Sequence, residues 1–127
     1  MVTKQERRKH TRYQTKTGAY ATISPESAKL GQIVDISFSG LAFKYVDTKR
    51  NELKNNAIIP ETIFLSSIGY YVGDIDFKTV EDFEITDPEF EQPLPEEIKT
   101  RVRRVEFIDL KLKQLFDLDN YIEQNAL

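Results

Sequence analysis

With 127 residues, no cysteine, one histidine and a formal charge of −3, the sequence has the size of a single domain and excludes disulfides, thiolate metal sites and multi-histidine metal sites. No apolar run approaches the ~20 residues that a bilayer span needs, and the first residues are polar and charged, unlike a secretory signal; the expected compartment is the cytoplasm. The charge is unevenly spread: residues 1–16 carry Lys4, Arg7, Arg8, Lys9, Arg12 and Lys16 against Glu6 alone, a local +5 that leaves −8 over the rest, so an anionic partner is expected for the start of the chain and not for a whole face.

Residues 1–12 hold few apolar side chains and no periodicity, which predicts a flexible basic arm ahead of one domain over 13–127. From Tyr13 the pattern changes: Tyr13, Thr15, Thr17, Ala19, Ala21 and Ile23 alternate with mostly polar neighbours, as a half-buried strand requires. Ser24, Pro25, Glu26 and Ser27 predict a turn. A second strand is expected over 29–36 around Ile33 and Val34, and a third over 41–46 with Phe43 and Tyr45 on one face; these two form a hairpin whose tip is the stretch 35–40.

A polar loop is expected over 47–56, then a short strand over 61–66. Two further strands are expected over 70–75 and 77–85, with Gly69 and Gly73 as bends or bulges. The acidic stretch 87–97, broken by Pro88, Pro93 and Pro95, cannot be a central strand. The last strand is predicted over 100–108. The period then changes, and a helix over about 110–125 is expected, capped by Asp109. Its stripe of Leu112, Leu115, Phe116 and Ile122, with Leu118 nearby, is expected to pack on the core. The fold class is therefore mostly β: six or seven short antiparallel strands in a small barrel or sandwich, with one C-terminal helix covering an end or a seam.

Two clusters carry chemistry. Arg8 and Arg12 are four apart with Arg7 adjacent. Guanidinium groups present planar forks that match phosphate oxygens, and their faces stack on aromatic rings; the plainer reading is a solvated basic arm. Asp35, Ser37 and Gly40 mark the second cluster. An ionised carboxylate accepts only, which suits the amide and amino donors of a guanine edge, and Ser37 can donate or accept beside it. Glycine permits a positive φ or the close approach of a ligand. The plainer reading here is an Asx or Ser turn that closes a hairpin.

Arg8, Lys9, His10, Thr11 and Arg12, followed by Asp35, Ile36, Ser37, Phe38, Ser39 and Gly40, resemble the two motifs of the PilZ family of bacterial cyclic di-GMP receptors, RxxxR before the first strand and [D/N]xSxxG on the following hairpin. Every fixed position matches. The stretch from Val105 to Leu110 is also similar to that family's closing strand, so the likeness runs from residue 6 to about 122. It implies a split antiparallel barrel, a cyclic di-GMP ligand and no catalysis. Arg8 and Arg12 would hold phosphates and stack on guanine, with a further contact from Arg7. Asp35 and Ser37 would bind a guanine edge, and Gly40 would shape the loop. In relatives the position held here by Arg7 influences whether one ligand or a stacked pair binds. Arg104 departs from a glycine found in many relatives, a difference expected to bear on strand geometry more than on the ligand. The implied output is a signal passed to a downstream protein in motility or biofilm control; the alternative is a scaffold of the same fold that binds no nucleotide.

Other chemistries lack support in the sequence. The acids of 81–97 lie largely in a proline-broken segment and read as solvated rather than as an opposed catalytic pair. Neither Gly69 nor Gly73 precedes the Lys-Ser or Lys-Thr of a phosphate loop. One histidine, His10, on a basic arm defines no nucleophilic triad and is read as a spacer. Binding of a nucleic acid polymer is disfavoured by the acidic body and by the scarcity of interleaved aromatic and basic residues.

Overall fold

The structure, a computed structural model, describes residues 11–24, 29–48, 61–86 and 98–127. Seven strands precede one helix: β1 (Tyr13–Gln14), β2 (Tyr20–Ser24), β3 (Leu30–Ile36), β4 (Gly40–Thr48), β5 (Thr62–Ser67), β6 (Tyr70–Ile85), β7 (Ile98–Ile108) and α1 (Leu112–Asn125). All pairings are antiparallel. They follow the order β1-β3-β2-β5-β6-β7-β4, and β4 returns to pair with β3. Six strands, β2 to β7, thus close a barrel, and β1 lies beside β3 as an added strand. Closure removes the unpaired edges that an open sheet of this size would expose. No described helix is long and apolar enough to cross a membrane.

The interior comes from strand alternation corrected by bulges. Leu41, Phe43 and Tyr45 point inward from β4 at the strict period of two, as do Ile63 and Leu65 from β5. On β3 the inward residues are Ile33 and Ile36, three apart, because the pairing with β4 shifts between Ile33 and Asp35. The extra residue is Val34, which is exposed. Without that bulge, Ile36 would face solvent. On β6 the same device sits at Gly73 and Asp74, which together oppose Phe64, so that Val72 and Ile75 both reach the core. Asp74 takes a left-handed φ of 45° there.

The first expected strand is broken in two. Tyr13 pairs with Ile36 and Tyr20 with Gln32, so seven steps along the first segment match only four along β3. The surplus is taken up around Gly18, whose φ of 103° suits only glycine without strain. Conversely, the two segments expected over 70–75 and 77–85 form the single strand β6, and β4 runs to Thr48, past the expected end at Val46. The expected hairpin tip between β3 and β4 is where the sequence places it. The expectations for 1–10, for the turn at 25–28, and for 49–60 and 87–97 lie outside the described residues.

The helix begins later than expected and is not capped by Asp109, which takes a left-handed φ of 50° and turns the chain. Gln114 serves the first turn instead. Its Oε1 accepts from the Lys111 N–H at 2.9 Å, and its Nε2 donates to the carbonyls of Gly73 (3.3 Å) and Asp74 (3.1 Å). This pins the start of the helix to the β6 bulge. Only Leu118, Tyr121 and Ile122 then join the core. Leu112 (71% exposed) and Phe116 (64%) face outward, and Leu115 is also exposed, which corrects the expectation that they pack inside. At the far end the Asn125 carbonyl accepts from the Lys16 N–H at 2.7 Å, and the Leu127 N–H donates to the Gln14 carbonyl at 2.9 Å. The end of the chain therefore holds β1 in place on β3.

Candidate functional site

The tip joining β3 to β4 is a tight, self-satisfied turn. The Ser37 N–H donates to the Gly40 carbonyl at 2.8 Å, and the Ser39 N–H donates to Ser37 Oγ at 3.1 Å. Ser37 Oγ also lies 3.0 Å from Ser39 Oγ. Ser37 is buried and its hydroxyl is engaged within the turn, as a serine turn predicts. Gly40 has an ordinary backbone conformation here. Its need is steric: a Cβ would stand 2.1 Å from the Val105 carbonyl oxygen and 3.1 Å from Glu106 Cα. The hydrogen bond from Phe107 N–H to the Ser39 carbonyl, 2.8 Å, ties the turn to β7 across the same contact.

Asp35 and Ser37 do not share a face. Asp35 points outward, in register with Ala42, while Ile36 points into the barrel and Ser37 lies past the end of the strand, buried. Ala42 pairs on its other side with Arg104, which pairs in turn with Glu81. Asp35, Ala42, Arg104 and Glu81 therefore form one row across four strands on the outer face. Arg104 reaches over the small Ala42 and grips Asp35 with both arms of its fork, Nη1 to Oδ1 at 3.0 Å and Nη2 to Oδ2 at 2.8 Å. The Asp35 hydrogen bond raises the Arg104 pKa above its ordinary value; burial opposes this, and the charges of Asp35 and Glu81 add to it. The β7 strand runs unbroken through Arg104, with a bulge only in the facing β6 at Val80. Arg104 thus engages the Asp35 carboxylate without interrupting β7.

Of the basic cluster, Arg12 is described and exposed, and Arg7 and Arg8 lie outside the described residues. Arg12 immediately precedes β1, whose Tyr13 pairs with Ile36 and whose Gln14 pairs with Asp35. One more step in that register sets Arg12 opposite Ser37. Arg12 is thereby held alongside the 35–40 turn by the backbone pairing of β1.

A second charged cluster escaped the sequence reading. Arg101 and Arg103, both on β7, converge on Asp82. Arg101 Nε donates to Oδ1 at 2.8 Å, and Arg103 Nε donates to Oδ2 at 2.9 Å. Tyr45 Oη donates to Oδ2 at 2.7 Å, and the Arg103 guanidinium sits 5.5 Å above the Tyr45 ring. Burial, then the Asp82 hydrogen bond, push the Tyr45 pKa up to about 12. The cluster ties β4, β7 and β6 together, and its Asp82 is a partnered carboxylate rather than a solvated one. No family model, no curated protein and no solved structure matches the chain.

Proposed function

We propose that this chain is a receptor for cyclic di-GMP, with no catalytic role, which takes the dinucleotide between the basic residues Arg7, Arg8 and Arg12 and the turn that carries Asp35. The observation that supports this best is the β1–β3 register: it sets Arg12 beside the 35–40 turn, so a ligand with two phosphates and two purines could touch both clusters at once. The resemblance of both motifs to the PilZ pattern points the same way. Ordering the residues ahead of Arg12 on the ligand would change the surface offered to a protein partner in the cytoplasm, a coupling of ordering to binding.

A second reading, a scaffold of this fold that binds no nucleotide, has a specific observation in its favour: the Asp35 carboxylate is already filled by Arg104 and the Ser37 hydroxyl by the turn. Calorimetric titration separates the two. The parent protein should bind cyclic di-GMP with an affinity that falls as salt is added, and Arg8→Ala and Arg12→Ala should each lose measurable binding while melting as the parent does. Arginine variants that bind as tightly as the parent would reject the site.

A further inference from the structure

We infer that Arg104 is an internal stand-in for guanine: it fills the acceptor of Asp35 in the free protein, and a ligand must displace it to bind. The inference rests on the receptor reading above. A guanidinium facing a carboxylate presents two parallel N–H donors to two oxygens, and here both bonds are made, at 3.0 and 2.8 Å. The Watson–Crick edge of guanine presents the same pattern through its ring N–H and exocyclic amino group. The two groups therefore compete for one acceptor, and only one can hold it at a time.

Three features make the contact displaceable rather than a fixed strut. The side chains of Asp35 and Arg104 keep 20% and 25% of their surface, so each can be reached from solvent and rehydrated. Ala42, the residue between them in the row, carries no side chain that would wedge the fork in place. Glu81, the exposed cross-strand neighbour of Arg104 on the side away from Asp35, offers the released guanidinium a second carboxylate. Displacement thus exchanges one ion pair for another instead of stranding a charge.

The arrangement also sets selectivity. Adenine places a ring acceptor where guanine has its ring donor, so it would face the carboxylate with one donor and one repelling lone pair. It could not replace both bonds that Arg104 gives up. The apparent affinity for a ligand that needs Asp35 is the intrinsic affinity multiplied by the fraction of molecules in which Arg104 has released that carboxylate.

The test is calorimetric titration of the parent, Arg104→Gln and Arg104→Ala with cyclic di-GMP and with cyclic di-AMP, alongside thermal melts. Both variants should bind cyclic di-GMP about tenfold or more tightly than the parent, while the preference over cyclic di-AMP, which the Asp35 carboxylate sets, should persist. Equal or weaker binding by the variants, with the parent binding, overturns the inference and leaves the receptor reading standing. Variants that no longer fold overturn it as well, because the pair is then structural. If parent and variants all ignore cyclic di-GMP while melting normally, both the receptor reading and the inference fail.

Discussion

The Asp82→Ala variant should unfold about 3 kcal/mol more easily than the parent, at the low end of the range for removing one member of a buried charged group. The reason is what remains. Arg101 and Arg103 keep their charges with no carboxylate between them, and the Tyr45 hydroxyl, on a side chain only 2% exposed, loses its acceptor. Asp82 retains 20% of its side-chain surface, which keeps the cost from the top of the range. The pH dependence gives an independent check. Burial raises the Asp82 pKa, but the hydrogen bonds from Tyr45, Arg101 and Arg103 outweigh it and hold the group below its ordinary 3.8. A depressed carboxylate contributes stability that is complete above its unfolded value and is lost as pH falls through the folded one. The parent should therefore weaken below about pH 4, and the variant should lack that part of the slope. At the alkaline end, the Tyr45 contribution should hold up to its ordinary 10.0 and fade as pH rises toward about 12. Urea unfolding across pH measures both.

Gly40→Ala should lower the melting temperature by roughly 10 °C, equivalent to about 3 kcal/mol for a domain of this length. The added methyl would stand 2.1 Å from a backbone oxygen of β7, and no side-chain rotation can relieve a clash with main chain. The β4 and β7 strands must part where the turn is tied to Phe107. In the structure the demand for glycine at this position comes from the close contact with β7. A variant that melts with the parent would show that β7 can move aside at this point, contrary to the packing described.

The barrel was legible because its signal is periodic. Leu41, Phe43 and Tyr45 alternate without interruption, and their strand begins one residue before its expected start and extends two past its expected end. What escaped were single-residue events. One extra residue at Val34 turns Ile36 inward and sends Asp35 outward, and Ser37, past the end of the strand, turns into the hairpin tip instead of following Asp35 along one face. The helix stripe was read from a 3.6-residue period, but period says nothing of where a helix meets its core. Gln114 anchors the first turn on the β6 bulge, and Leu112 and Phe116 fall outside. The Asp35–Arg104 pair joins residues 69 apart in the chain, so no local pattern announces it. Arg104, expected to bear on strand geometry, reaches instead to a carboxylate two strands away. The Asp82 cluster was hidden for the same reason, its acid reading as one more charge in an acidic stretch.

Amide NMR shifts of the parent protein during titration with cyclic di-GMP test the receptor reading most directly. Signals from Arg12 to Gln14, from Asp35 to Leu41 and from Arg104 should move together and saturate. Spectra that stay unchanged up to ~1 mM nucleotide, a level that would reveal even the weakest specific affinities, or shifts confined to the exposed helix face around Leu112 and Phe116, would contradict it.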